Sequence, residues 1–309
     1  LRVVIPGASG FIGKNLLNNA PQDWDVVATY NTDESFPLFV DNLGLKRAAV
    51  EKCDLLDLHD LSLLQKNCGD SFDLGIYLAA NSDPSKSSLD PLFDLRSNVE
   101  GLINFLHLFK VKKLIFFSSG SVYEGLAGMV SPEKHVTPIL PYAISKFATE
   151  AYVKHFRRTG TISEYLIVRF FGAYGPYEPD RKIYSKLVRQ FYIEHRRDFP
   201  VRGNGLNLID AMYVDDAVEG ILRMARAPLN DTVIDFCGGN PMTIRELILK
   251  AAEIFSISQP KIVQKGETVE YNKFYANPHP FIQRYSYKPK TDLKEGFLKL
   301  AKFLEAKQK

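Results

Sequence analysis

Three glycines, Gly7, Gly10 and Gly13, stand between a short apolar, β-branched run (residues 2–6) and a stretch with helical spacing (residues 11–19). Glycine at these positions lets the backbone approach a bound group closely. The helix that follows offers unsatisfied N–H groups and the positive end of its dipole. A strand feeding a helix through such a turn suits a pyrophosphate in a parallel α/β sheet. Lys14, directly after Gly13, invites comparison with a P-loop. That loop has four residues between its glycines and Ser or Thr after the lysine. Here Gly7 and Gly13 are further apart and Asn15 follows Lys14, so the P-loop is rejected.

The chain continues as strand and helix in alternation. Further strands are expected at 25–30, 46–53, 74–80, 114–118, 165–171 and 232–236. Helices are expected at 61–66, 91–109, 142–158, 183–194, 214–227, 243–255 and 292–306, with Thr243 as an N-cap. In 91–109 the apolar residues Leu92, Leu95, Val99, Leu102, Ile103 and Leu106 recur at helical spacing. Such alternation predicts an α/β chain, a Rossmann-type doubly wound parallel sheet with a smaller α/β C-terminal substrate domain. After Gly172 the pattern loosens, and residues 259–290 hold several prolines and no strong period. The expected division is residues 1–171, with parts of about 205–237, as the dinucleotide-binding body, and 172–204 with 238–309 as the substrate domain.

Composition narrows the class of partner. The 309 residues include 39 Lys plus Arg and 36 Asp plus Glu, a net charge of +3. That balance argues against nucleic acid as the main partner. Cys53, Cys68 and Cys237 form no CxxC pair or Cys/His cluster, so reduced thiols are expected, with neither a disulfide framework nor a metal site. No apolar stretch approaches the ~20 residues needed to cross a membrane, and the first residues lack a signal-peptide pattern. A cytoplasmic protein without membrane contact is the expectation.

Two more motifs carry chemistry. In Tyr142-Ala143-Ile144-Ser145-Lys146, spacing of four puts Tyr142 and Lys146 on one helix face. A lysine ammonium close by favours the phenolate and makes the tyrosine a usable base. The spacing alone fits a solvated surface pair equally well. In Phe116-Phe117-Ser118-Ser119-Gly120-Ser121-Val122-Tyr123, hydroxyls cluster where a strand ends. Ligands of open parallel sheets bind there, and a serine can polarise a substrate oxygen.

The glycine turn, the serine cluster and the Tyr/Lys pair, in this order, resemble the extended short-chain dehydrogenase/reductase family, the NAD-dependent epimerases and dehydratases of nucleotide sugars. The resemblance also takes in Cys53-Asp54-Leu55, Leu78-Ala79-Ala80, Asn98, Arg169, Tyr174-Gly175-Pro176, Tyr213-Val214-Asp215-Asp216 and Tyr287-Lys288-Pro289. It implies a catalytic set of Ser119, Tyr142 and Lys146. It implies cofactor contacts from Gly7, Ser9, Gly10, Phe11, Ile12, Gly13, Tyr30, Asp54, Leu55, Leu78, Ala79, Ala80, Asn98, Ser118, Tyr142, Lys146 and Phe171. It implies substrate contacts from Asn81, Ser119, Ser121, Tyr142, Gly172, Arg202 and Arg284. In the family mechanism, Tyr142 takes the sugar O4 proton while the nicotinamide takes hydride from C4, or the reverse. The expected function is an NAD(P)-dependent nucleoside-diphosphate-sugar 4-epimerase. A 4-keto-deoxysugar nucleotide reductase is the alternative, and a non-catalytic dinucleotide-binding protein a third reading. A homodimer through helices 91–109 and 142–158 is implied as well.

Five positions depart from the family pattern. Tyr30 replaces the Asp that binds the ribose of NAD, which leaves NAD or NADP open; Lys14, Lys46 and Arg47 are candidate partners for a 2′-phosphate. Gly120-Ser121 replaces the Asp-Glu of dehydratases, so dehydration is demoted. Gly172 replaces an Asn, and Ile209 an Arg that holds the diphosphate. Arg181, Lys182, Arg202 and Arg284 are the expected substitutes, with Arg284 the first choice.

Overall fold

The structure is a computed structural model that describes residues 1–267 and 272–307. Seven strands form one sheet: β1 (Arg2–Ile5), β2 (Asp25–Tyr30), β3 (Ala48–Lys52), β4 (Ser71–Tyr77), β5 (Lys110–Ser119), β6 (Ile162–Phe170) and β7 (Thr232–Phe236). Their order is β7-β6-β5-β4-β1-β2-β3 and every pairing is parallel. The expected doubly wound α/β sheet is therefore present. Winding reverses between β1 and β4, which opens a crevice beyond the carboxyl ends of those strands. The central strands read as apolar runs because both sheet faces are covered. Val3, Val4, Ile5, Leu74, Ile76, Leu114, Ile115 and Phe116 are all fully buried.

The helices that matter for the crevice are α1 (Phe11–Asn18), α2 (Phe36–Asn42), α3 (Leu58–Cys68), α4 (Pro84–Leu89), α5 (Pro91–Leu95), α6 (Gly101–Leu108) and α7 (Pro141–Arg158). Asp57, Asp83 and Asp90 cap α3, α4 and α5 by accepting from first-turn N–H groups. Thr243 caps the helix Ile244–Ile254 in a reciprocal capping box with Glu246. Residues Arg96–Glu100, between α5 and α6, form a π-helical turn within the stretch predicted as one regular helix. Such turns often mark functional sites.

Several elements escaped the sequence reading. Helix α2 is short and has Pro37 in its first turn. Residues 259–290 contain the strands Lys261–Lys265 and Lys273–Ala276 and the helix His279–Tyr285. The two strands pair in parallel with Asp198–Arg202 and Ala127–Val130. Lys261–Lys265 is mostly exposed and lacks the alternation that betrays a half-buried strand. The remaining pairs join Ala173–Tyr174 to Met212–Tyr213 and Leu208–Ile209 to Met242–Thr243. Among the described residues no helix is long and apolar enough to cross a membrane. The three cysteines are buried free thiols.

Candidate active site

The crevice begins at the glycine turn. Gly7 has φ +80°, and a Cβ there would lie 2.6 Å from the Ala79 backbone at the end of β4. A Cβ on Gly13 would lie 2.3 Å from the Ala8 carbonyl oxygen, so α1 could not pack onto its own turn. Gly10 is the N-cap of α1 and supplies no side-chain cap. The first-turn N–H groups thus have no side-chain acceptor, which suits an anion. Ser9, Phe11 and Ile12 are half-buried around this turn, and Leu78, whose N–H donates to the Pro6 carbonyl, lines its other wall with Ala79 and exposed Ala80.

Beyond β2, the Tyr30 ring packs on Phe36, with centroids 5.7 Å apart. A carboxylate is supplied instead by Asp33, which pairs with Lys14 at 2.6 Å. The sequence reading missed Asp33; its signal was a carboxylate three positions beyond the expected one. Beyond β3, Asp54 accepts from the Leu56 N–H, and the Leu55 carbonyl accepts from Asn104.

The structure brings Ser119 and Tyr142 together. Ser119 ends β5 and Tyr142 lies in the first turn of α7, close enough that the serine hydroxyl pulls the phenol pKa down. The Ser119 oxygen also accepts from the Ser121 N–H at 3.1 Å. Lys146 follows four residues later on the same helix. It is 3% exposed, and its ammonium lies 4.5 Å over the Phe116 ring. Burial pulls its pKa down to about 8, opposed by the carboxylates of Glu150 and Asp94. The Tyr142 phenol is raised rather than lowered: burial dominates, Asp94 and Glu124 add to it, and Ser119 and Arg181 oppose it. Burial of the phenol thus outweighs the groups that lower its pKa.

Behind this pair lies a polar network. Asn98 is buried, its amide donates to Asp94 and Ser145, and its oxygen accepts from the Asn81 N–H. The Asn81 side chain donates to Ser87 and Asp94 and so joins this network. Ser118 likewise donates to Glu150 at 2.6 Å. Glu124, also missed in the sequence, is buried beside the site. Its carboxylate accepts from the N–H of Leu140, the N-cap of α7, and burial pushes its pKa up to about 7.

Phe171, expected against the cofactor, packs over Gly120, where a Cβ would lie 3.2 Å from its ring. The substrate residues divide. Gly172 has φ +117° and its carbonyl accepts from Met212. Arg202 is exposed at the end of the strand Asp198–Arg202. Arg284 is not brought to the crevice. It donates to the carbonyls of Pro228 and Leu229, just before β7 and hence at the opposite edge of the sheet. A cation that lowers the Tyr142 pKa is Arg181, which pairs with Asp83 at 3.2 Å. Lys182 follows it, its pKa lowered by burial and by Arg181.

The family model of the NAD dependent epimerase/dehydratase family matches residues 3–235. The chain belongs to that family. It is 29% identical over 269 residues to the UDP-glucuronate 4-epimerase of Thermodesulfobacterium geofontis, covering 79% of this chain and 78% of that protein. The fold is shared with the Bacillus cereus UDP-glucuronic acid 4-epimerase solved with UDP-glucuronic acid and NAD (TM-score 0.86, 22% identity, 99% of each chain). It is shared equally with RMD from Pseudomonas aeruginosa complexed with NADPH (TM-score 0.82, 23% identity, 99% of each chain). As a member of the NAD dependent epimerase/dehydratase family the chain is an enzyme whose Rossmann-type sheet takes a nicotinamide dinucleotide. The cradle at Gly7, Gly10 and Gly13 fits that group.

Proposed function

We propose that the chain is an NAD(P)-dependent nucleoside-diphosphate-sugar 4-epimerase. The observation that carries this reading is the closeness of the Ser119 hydroxyl to the Tyr142 phenol at the carboxyl end of β5, two strands from the glycine cradle. Gly7, Ser9, Gly10, Phe11, Ile12, Gly13, Asp54, Leu55 and Leu78 to Ala80 would hold the dinucleotide, which when bound supplies hydride exchange at the sugar C4. Tyr142 then takes the O4 proton as the sugar is oxidised and returns it after the 4-keto sugar has turned over. Ser119 hydrogen-bonds O4 and keeps it beside the phenol. Lys146 contributes positive charge from beneath. The adjacent cations Arg181 and Lys182 suit an anionic sugar nucleotide, and the likeness to a UDP-glucuronate 4-epimerase supports the same substrate class.

The raised Tyr142 favours one second reading, a 4-ketosugar reductase, since a neutral phenol is a proton donor. One experiment separates the two. The enzyme is incubated with UDP-, dTDP-, GDP- and CDP-sugars, with and without NADH or NADPH. Turnover without added reductant is expected for the epimerase. Stoichiometric loss of reduced cofactor would select the reductase, and no reaction on any sugar would overturn both.

The sheet and glycine turn form the cofactor body in this reading, and residues 172–204 with 238–309 the substrate cap. We further infer a homodimer. Leu89, Leu92 and Leu95 on α4 and α5 are exposed, as are Ile144, Phe147 and Tyr152 on the adjoining α7. A contiguous apolar patch of this kind suits a second copy. A dimer mass is expected in sedimentation at micromolar concentration, and a monomer mass would overturn it.

A further inference from the structure

We propose that Asp94 is a positioning residue for proton transfer: its buried carboxylate is the counter-charge of Lys146 and, through Ser145 and Asn98, fixes the first turn of α7 that carries Tyr142. This rests on the proposed role of Tyr142 and Lys146 in proton transfer.

Asp94 lies in α5, directly before the π-helical turn, and has no exposed surface. A carboxylate so placed needs partners, since burying an unpaired charge is costly. One oxygen accepts from Ser87 at 2.6 Å, Asn81 at 2.9 Å and Asn98 at 3.1 Å. The other accepts from Ser145 at 2.6 Å. All four donors are neutral, and none of the described ion pairs includes Asp94. Its charge is held in place without being neutralised.

That charge reaches the site along two routes. The first is mechanical. Ser145 lies one residue before Lys146 and three after Tyr142, and its hydroxyl is also within 3.0 Å of the Tyr142 carbonyl. Asn98 holds Ser145 at 2.9 Å and the Asn81 N–H at 2.8 Å, so α5, α7 and the end of β4 meet on this carboxylate. The second route is electrostatic. Lys146 faces two carboxylates, Glu150 from its own helix and Asp94 from α5. Glu150 is already gripped by Arg169 through two bonds of 3.0 and 2.9 Å. Asp94 is the one without a cation of its own. Tyr142 faces Asp94 and Glu124 on the raising side and Ser119 and Arg181 on the lowering side.

The signs follow. A nearby anion favours the lysine ammonium and disfavours the phenolate. Asp94→Asn keeps the shape and removes the anion, so Lys146 and Tyr142 should both titrate at lower pH. Both limbs of the pH–rate profile for sugar turnover are expected to move to lower pH. Activity near about pH 9 should fall about tenfold more than activity near about pH 7, the effect of a shift of about one unit. A merely structural Asp94 would lower the rate equally at all pH values. The second readout needs no sugar. The tyrosinate absorbance of Tyr142, taken as the difference from Tyr142→Phe in the same background, should titrate at lower pH in Asp94→Asn than in the parent chain. If the parent turns over no sugar, the functional reading fails while this titration still decides the role of Asp94. Asp94→Ser, smaller and also uncharged, is the second variant. Unshifted titration in either folded variant, or failure of both to fold, would overturn the proposal.

Discussion

Tyr142→Phe is expected to lower kcat for sugar turnover by about a thousandfold, within the usual range for removing a positioned acid–base group. The ring stays and only the hydroxyl leaves. Tyr142 is half-buried in the first turn of α7, where Pro141 and the Leu140 N–H contact with Glu124 set the helix start without it. The melting temperature should therefore stay within about 2 °C of the parent chain, as for a substitution that opens no large cavity. Dinucleotide binding should be retained as well, because the cradle is built from Gly7, Gly10 and Gly13 on the far side of the crevice. Steady-state kinetics with a turned-over sugar, together with cofactor titration, check both halves. Unchanged turnover would remove Tyr142 from the chemistry, and lost cofactor binding would recast it as a structural element.

The cradle was legible because sterics leave so little choice. Gly7 and Gly13 sit where a Cβ would meet backbone at 2.6 and 2.3 Å, so those positions must be glycine and the spacing survives in the sequence. Tyr142 and Lys146 were legible as neighbours on one helix face, but the state of each was not. The lysine turns over Phe116 and the phenol is desolvated. Both outcomes depend on β5 and α5, which lie tens of residues away in the chain. Asp94 stands four residues before Asn98 and accepts from its amide, so the pair has a local spacing signal in the sequence. Arg284 shows the reverse error. It is expected as the substitute for the arginine that Ile209 replaces, from its place near the family's second basic position, yet two carbonyls before β7 take its guanidinium. A sequence shows which side chains carry charge, and only packing shows which charges are already committed.

Arg169→Met tests such a commitment and should give the largest loss of stability. Arg169 lies in β6, 4% exposed. It donates twice to Glu150 and once, at 3.0 Å, to the Tyr123 hydroxyl, which in turn donates to Asp235 at 2.8 Å. Two buried carboxylates thus share one cation, and burial already pushes the Asp235 pKa up to about 6. Methionine fills much of the volume but leaves Glu150 with Ser118 as its hydrogen-bond donor. Breaking a buried pair from one side costs about 3–5 kcal/mol, which for a chain of this size lowers the melting temperature by roughly 10 °C. The loss should depend on pH. Without the cation the Asp235 carboxyl, already raised by burial, rises further above its unfolded value, so the native state binds more protons and stability falls as pH rises. The deficit against the parent chain is therefore expected to be smaller near about pH 5 than near about pH 8. Thermal melts at the two pH values check this, and an equal deficit at both would show that packing, not charge, holds Arg169. Glu150→Leu with Arg169→Met removes the stranded carboxylate and should recover part of the lost melting temperature. It should also move the alkaline limb of activity to lower pH. Glu150 also faces Lys146 from one turn along α7, and its removal takes from the ammonium one of the two charges that hold its proton.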